Sequence, residues 1–488
     1  MLTTEIIISV FGILLVILNM TFAITIIFFE RRDIGSTWAW LLVLFFLPLI
    51  GFFIYIFFGR LIKSNNFYQV DEERRSEYAL HVQQQLDELD GNQLIFKQDP
   101  LLAKYRRLAR LNLSSTNALV TYHNDIQVIH DGKQKFAALF DDIEAAKQEI
   151  NIQYYIIQND SLGQALIAAL TKRAQGGVRV RLLYDAVGSR GLRRKHFKEL
   201  LESGGEVKSF FPSSLGINFR VNNRNHRKLC VIDGDIGYIG GFNVGDEYMG
   251  TNQHFGYWRD VHLRMNGEAV QELLERFLLD WNRSVPTKRK ALKEEFIWPS
   301  KTLEAFKSPV QIVTSGPNST TEHLKNMLVK MIGEAKETIY IQTPYFIPDA
   351  SFLDACRIAL MSGTKIQLMI PNKPDHMFVY WATYANAAEL VRYGAEVYTY
   401  EGGFLHAKTL VIDGEVASIG TTNIDARSFH LNFEISALVY DEAVARSVID
   451  AFDRDKSCAE LLTLERYETR TKWIRFKESV SRLLSPIL

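Results

Sequence analysis

The chain has 488 residues, 47% of them hydrophobic, with 56 basic and 56 acidic side chains in balance. That length holds two or three domains with real cores, and zero net charge supplies no global basic field of the kind non-specific nucleic-acid binding relies on. The three cysteines, Cys230, Cys356 and Cys458, are odd in number and widely spaced; they read as reduced, packed thiols and favour a cytoplasmic setting for most of the chain.

Residues 1–60 form a membrane domain. Ile6 to Phe29 is a nearly continuous apolar run of bilayer-spanning length, and Trp38 to Phe58 is a second, interrupted by Pro48 and Gly51. The sequence therefore predicts two transmembrane helices, at about 6–29 and 38–58. A cleaved signal peptide fits poorly, since no basic segment precedes the first run and no small-residue cleavage pattern follows it. The connecting loop is too short to hold a domain, so the N-terminus and everything after Phe58 are expected on one side. Arg60, Lys63, Arg74 and Arg75, outnumbering Arg31 and Arg32 of the loop, favour the cytoplasm as that side. Residues 61–117 then turn polar and helical and read as a solvated stalk.

Beyond the stalk the chain repeats itself, the sign to seek before naming any fold. AKQEINIQ at Ala146–Gln153 is echoed by AKETIYIQ at Ala335–Gln342, and GVRVRLL at Gly177–Leu183 by GTKIQLM at Gly363–Met369. Each unit reads as strands alternating with helices and closing in a hairpin, which predicts two α/β halves, 118–286 and 308–465. Mixed, mostly parallel sheets sandwiched by helices are expected, with the halves packed through their sheets' functional edges so that the hairpins face each other.

Those hairpins carry the chemistry. NHRKLCVIDGDIGYIGGFN at Asn225–Asn243 and LHAKTLVIDGEVASIGTTN at Leu405–Asn423 share His-x-Lys-x4-Asp: His226, Lys228 and Asp233, then His406, Lys408 and Asp413. One copy would arise by chance in roughly a few chains per hundred of this length, two with matching Gly and Asn partners in well under about one in a thousand. Side chains two apart on a strand share a face, so each histidine sits beside a lysine, while Asp-Gly marks a hairpin turn in which the Asp is expected to bond local backbone. Asp260 and Glu434 follow the motifs at offsets of 34 and 28 residues.

The pair of motifs resembles the HKD signature of the phospholipase D superfamily, and the resemblance spans the duplicated region. Within the superfamily the likeness is to bacterial cardiolipin synthases, carried by TWAWLLVLFFLPLIGFFIYIFFGR at Thr37–Arg60, RNHRKLCVIDG, GGFNVGDEY and TNIDARSFHLNFE. It implies one active site built from both motifs: His226 as nucleophile, His406 as general acid and base, and Asp260 and Glu434 holding the histidines. Lys228, Lys408, Asn243 and Asn423 are expected to stabilise the phosphate charge, with Asp233 and Asp413 holding the motifs in shape. No metal and no cofactor is expected, because no ligand-spaced His, Cys or carboxylate cluster appears and the lysines fill that role. The family pattern often has Ser two residues before the Asn, where this chain has Gly241 and Thr421.

The expected reaction joins two phosphatidylglycerols into cardiolipin and glycerol at the cell membrane, with phosphatidylglycerol and other anionic lipids as partners and no nucleic acid. A phospholipase releasing phosphatidic acid and a superfamily nuclease are the alternatives; a non-catalytic scaffold is disfavoured because both motifs are complete. Residues 466–488 read as an amphipathic helix, Trp473, Phe476, Val480, Leu483 or Leu484, and Ile487 recurring at helical spacing among basic residues. It suits either an anionic membrane interface or a docked position on the core.

Overall fold

The structure is a computed structural model and describes residues 2–30, 34–59, 62, 67–68, 72–91, 99–212, 222–285 and 308–484. Arg31, Arg32, Arg60, Lys63 and Ile487, which entered the sequence reading, lie outside the described residues.

The first apolar run forms α1 (Leu2–Ile24), continued by a wider turn over Thr25–Phe29. Thr4–Phe29 is long and apolar enough to cross a bilayer. The second run differs from the expected single helix, dividing into α2 (Ile34–Phe46) and α3 (Pro48–Ile54). Pro48, with no N–H to continue the first segment, starts the next one. Asn19 ties α1 to this break by donating from Nδ2 to the Pro48 carbonyl at 2.8 Å. Among the described residues, then, one helix and not two meets the spanning length.

The stalk expectation is also corrected. Within 61–117, α4 (Glu72–Asp90) buries Val82 and Leu89 against the helix at Arg106–Thr116 and the second half's core. Its Tyr78 hydroxyl donates to Glu272 at 2.7 Å. Val82 and Leu89, seven residues and so about two turns apart, line one narrow face of an otherwise polar helix, so its thin buried stripe was hidden in the composition.

The duplicated region holds two large sheets. Strands of the first half are β1 (Asn124–Asp131), β2 (Glu149–Tyr154), β3 (Arg179–Asp185), β4 (Glu206–Phe210), β5 (Leu229–Ile232), β6 (Ile236–Gly240) and β7 (Tyr257–Gly267). Helix α5 (Ala269–Ser284) follows. Those of the second are β8 (Val310–Ser315), β9 (Thr338–Gln342), β10 (Lys365–Pro371), β11 (Glu396–Tyr400), β12 (Gly403–Leu405), β13 (Thr409–Ile412), β14 (Val416–Gly420) and β15 (Asn432–Tyr440). That half also carries helices at His323–Glu334 and Ala350–Met361, with α6 (Met377–Val391) and α7 (Glu442–Lys456), and α8 (Lys472–Leu484) follows it.

In each half three strands run parallel, β4-β3-β2 and β11-β10-β9. The hairpin β5–β6 or β13–β14 and the long strand after it add antiparallel. Antiparallel pairings therefore outnumber parallel ones, contrary to the mostly parallel expectation. The βαβ alternation governs only three strands per half, and an Asp-Gly hairpin can join only antiparallel neighbours.

The halves meet chiefly through sheet faces, with edge pairing confined to short strands that cross between the sheets. Alternate hairpin residues point inward, and Leu229, Val231 and Ile239 share one buried cluster with Val411, Ala417 and Ile419. Phe277 and Trp281 of α5 and Val448 and Phe452 of α7 belong to the same layer. The opposite faces, Cys230 and Tyr238 or Leu410 and Ile412, pack under each half's outer helices. At about 1.5–3 kcal/mol for each large apolar side chain fully buried, the shared layer makes the two halves one folding unit.

Candidate active site

Two short strands change sheets and thereby place both histidines. Arg224–Asn225, entering the first motif, pairs in parallel with Asn432–Phe433 of β15, and the His226 N–H donates to the Phe433 carbonyl at 2.9 Å. Reciprocally, β12 pairs with Tyr257–Arg259 of β7, and the His406 N–H donates to the Arg259 carbonyl at 2.7 Å. The residue after each of those carbonyls is an acid. His226 Nδ1 is consequently 3.0 Å from Glu434 Oε2, and His406 Nδ1 is 2.6 Å from Asp260 Oδ2. Each histidine is held by the other half's carboxylate, a crossing that offsets counted within one repeat do not reveal.

Both carboxylates are wholly buried and both histidines are 8% exposed. A carboxylate held below its usual range can only accept, so Nδ1 of His226 carries the hydrogen. Nδ1 of His406 faces both Asp260 and Lys408, and the carboxylate, at the shorter 2.6 Å, accepts its N–H. In that tautomer Nε2 of each ring keeps its lone pair. The electrostatics agree. Burial, with the neighbouring lysine charges, keeps His226 low and takes His406 down to about 3. Lys408 and His406 hold the Asp260 carboxyl below its usual range against the opposing effect of burial, and His226 does the same for Glu434.

The lysines converge with the rings. Lys228 Nζ donates to the His226 carbonyl at 2.6 Å and Lys408 Nζ to the His406 carbonyl, with Lys408 Nζ 2.7 Å from His406 Nδ1. Burial lowers Lys228 to about 7 and Lys408 to about 8, partly offset by Glu434 and Asp260. Each lysine is felt by the opposite half's histidine as well as by its own. Four groups from two repeats thus occupy one pocket, with cationic charge concentrated where an anion would complete it.

The two asparagines are partly engaged. Asn243 Oδ1 accepts from the Ile156 N–H at 3.1 Å and its Nδ2 donates to the Tyr248 hydroxyl at 3.1 Å, leaving one amide hydrogen for a ligand. Asn423 donates to Asp425, while its Oδ1 is buried without a protein donor. At the positions where the family often has Ser, Thr421 gives its hydroxyl to Glu434, and Gly241 lies flush on the Asp260 carboxylate.

Asp233 and Asp413 sit away from this pocket, at the far ends of strands that rise about 3.3 Å per residue. Each takes a left-handed backbone, φ 53° and 52°. Their carboxylates accept from Lys147, Gln148 and Glu149, and from Lys336, Glu337 and Thr338, at the starts of β2 and β9. They clamp each hairpin to the neighbouring strand's first turn, whereas the sequence reading had them bonding their own turn.

Several supporting residues were missed. Asp280 on α5 accepts from Gln153, Asn225, Arg227 and Tyr68, at 2.7 to 3.0 Å. Asp455 on α7 accepts from Gln342 and Arg259 at 3.0 and 2.8 Å. Leaving one member of a buried pair such as Arg227 and Asp280 uncompensated costs about 3–5 kcal/mol, so these networks fix the backbone on either side of each histidine. The shared glutamine of the INIQ and IYIQ echoes was the available signal. Tyr155 packs edge-on to His226 at 4.8 Å and Trp258 lies 5.1 Å from His406, forming the aromatic walls.

The comparisons with known proteins agree with this architecture. The family described as cardiolipin synthase, PLD-like domain, matches residues 139–281 and 328–456, and the phospholipase D-nuclease N-terminal family matches residues 17–60. A cardiolipin synthase of Oceanobacillus iheyensis is 49% identical over 472 residues, covering 97% of this chain and 98% of that one. The major cardiolipin synthase ClsA of Bacillus subtilis (strain 168) is 49% identical over 473 residues, with coverage of 97% and 98%. Among solved structures, a phosphatidylserine synthase from Haemophilus influenzae Rd KW20 superposes with a TM-score of 0.61 over 78% of this chain and 100% of that one. At 14% identity it speaks for the fold alone.

Proposed function

The chain belongs to the PLD-like cardiolipin synthase family, and on that premise we propose that it transfers a phosphatidyl group from one phosphatidylglycerol to another. The carrying observation is the near-full-length 49% likeness to curated cardiolipin synthases, to which the crossed histidine pairs add a chemical means. His226 Nε2 attacks the phosphorus of the first lipid. His406, which takes up a proton on Nε2 once the bound phosphodiester anion offsets the burial and the lysine charges that hold it low, gives that proton to the departing glycerol oxygen as the P–O bond breaks. A hydroxyl of the second phosphatidylglycerol then attacks the phosphohistidine, His406 takes back its proton, and the P–N bond breaks to give cardiolipin. Lys228 and Lys408 offset the charge on the non-bridging oxygens throughout, and the halves at 118–286 and 308–465 act as one catalytic unit.

Purified protein supplied with phosphatidylglycerol alone is expected to release glycerol and cardiolipin in equal amounts, and added glycerol to reverse the reaction. Phosphatidic acid accumulating without cardiolipin, at every lipid density tried, would make the protein a hydrolase instead.

The same reading makes it a multi-pass protein of the cell membrane, α2 and α3 together forming a second, broken membrane segment and the catalytic halves lying in the cytoplasm. Phosphatidylglycerol and other anionic lipids are its partners. Helix α8 supports an interfacial position as well as a docked one. Its Glu478 and Ser481 face inward, while Trp473, Phe476 and Leu483 are 63%, 57% and 81% exposed. Met377 and Phe378, at the start of the neighbouring α6, are exposed too, and Lys477 lies over Trp381 and Trp473. Aromatic side chains flanked by lysines suit the headgroup boundary of an anionic membrane. Replacing Trp473 and Phe476 by Ala is expected to raise the KM for phosphatidylglycerol mole fraction about tenfold with kcat unchanged; an unchanged KM would leave α8 a core helix.

A further inference from the structure

The reacting pocket accounts for one phosphate, yet a lipid acceptor brings a second. Two arginines outside the histidine–lysine set lie beside it. Arg224 stands two residues before His226, on the short strand that crosses to β15. Arg427 stands in the turn of helix at Ala426–His430, four residues after Asn423. They come from different halves and hydrogen-bond the adjacent residues Asn223 and Asn222; burial lowers Arg427, and Arg224 is close enough to add to that by like-charge repulsion.

The Tyr155 ring connects the pair to the chemistry. It packs edge-on to His226, Lys228 Nζ lies 5.3 Å from its centroid, and its hydroxyl bonds Arg224 while sensing both arginines. The guanidiniums are thus one aromatic ring from the nucleophile.

Both arginines are half-buried, and among the described residues neither forms an ion pair. Arg427 Nη1 and Nη2 donate to the side chain and carbonyl of Asn222 at 3.0 and 2.9 Å, and Arg224 Nη1 to the Asn223 carbonyl at 3.2 Å. The neighbouring carboxylates, Asp185 near Arg224 and Asp425 near Arg427, accept their hydrogen bonds from other groups. Asp185 accepts from the Val187, Gly188 and Asn225 N–H groups, and Asp425 from Ser428 and Asn423. A guanidinium has five N–H donors in a fork suited to phosphate, and among the described residues the bonds these two make are the four to Asn222, Asn223 and the Tyr155 hydroxyl. Asp185 and Asp425 offset the two guanidiniums only at a distance, and holding the like charges together has a cost that a bound anion reduces.

We propose that Arg224 and Arg427 form a second phosphate subsite, which holds the phosphodiester of the lipid whose glycerol hydroxyl is the acceptor. This rests on the transferase reading above and extends it: the subsite distinguishes a phosphatidylglycerol acceptor from water or free glycerol, which carry no phosphate. In reverse it would hold the phosphate that remains on the departing phosphatidylglycerol when cardiolipin is the donor.

The test separates acceptors. Full-length protein in phosphatidylglycerol vesicles is assayed for cardiolipin formation and, in parallel, for exchange of labelled free glycerol into phosphatidylglycerol, which uses the same histidines and no second phosphate. Arg224→Gln and Arg427→Gln are each expected to lower cardiolipin formation about tenfold to a hundredfold, with glycerol exchange within about twofold of the starting protein. Arg427→Lys, which keeps the charge but not the fork, should fall between. Because Arg427 also pins Asn222, the Arg224 variant guards against a local folding effect. Equal losses in both reactions, or no loss in either, for both glutamine variants would overturn the subsite. A starting protein that exchanges glycerol but makes no cardiolipin would instead overturn the transferase reading beneath it.

Discussion

Asp260→Asn is expected to lower turnover with phosphatidylglycerol by about three to four powers of ten, the scale seen when a buried carboxylate orienting a catalytic histidine is neutralised elsewhere. Glu434→Gln is expected to do the same, but the two losses differ in kind because of the crossing. Asp260, in the first half, holds His406 at 2.6 Å; Glu434, in the second, holds His226 at 3.0 Å. An amide donates as well as accepts, so in either variant the ring loses its tautomer preference and the Nε2 lone pair is no longer assured. With His226 as nucleophile, Glu434→Gln disables attack itself, while Asp260→Asn disables only proton delivery to the leaving oxygen. A phosphodiester bearing a nitrophenolate leaving group needs no such proton. On that substrate Asp260→Asn is expected to release one equivalent of nitrophenolate in a burst and leave the rest of the phosphodiester on His226 as a phosphoramidate that survives an alkaline quench, and Glu434→Gln to show no burst. The opposite pattern would exchange the histidines' roles. Wild-type rates in both variants would return the two acids to a structural part.

Why the crossing was hidden from the sequence, when so much beside it was legible, has a physical reason. The hairpins were readable because Asp-Gly and alternating apolar residues are local signals, and Leu229 pairs with Ile239, Thr409 with Ile419, as that pattern requires. The convergence of two histidines and two lysines was readable from duplication. What decides the partner of each histidine is the hydrogen bond from its own backbone N–H to a carbonyl 207 or 147 residues away, at Phe433 or Arg259, and no local pattern encodes it. Two-residue strands such as Arg224–Asn225 carry no periodicity at all. The same holds for Asp233 and Asp413, whose clamps join positions about 80 residues apart. Pro48 did signal an interruption, and the break into α2 and α3 falls there.

The asymmetry between the halves carries the last expectation. Gly241 and Thr421 are equivalent, each donating its N–H to the carbonyl after the orienting acid, at Val261 and Ile435. A Cβ at Gly241 would come within 2.0 Å of Asp260 Oδ1 and 2.5 Å of its Cγ. Asp260 is wholly buried and held by His406 and the Val261 N–H, so it cannot yield without leaving the histidine. In the second half the acid is a glutamate. Its extra methylene carries the carboxylate past the backbone, which leaves room for Thr421 and lets that hydroxyl donate to Glu434. Glycine with aspartate and threonine with glutamate are therefore two solutions to one packing problem. Gly241→Thr alone is expected to cut turnover about a thousandfold by pushing Asp260 off His406, with a loss of stability on the order of 1–3 kcal/mol from overpacking. Adding Asp260→Glu should copy the second half's arrangement into the first and recover at least about tenfold of the lost turnover, a coupling of roughly 1.4 kcal/mol or more between two touching residues. Measuring kcat and thermal midpoint for both single variants and the double variant closes the cycle. Strictly additive losses would show that the contact between residues 241 and 260 does not position His406.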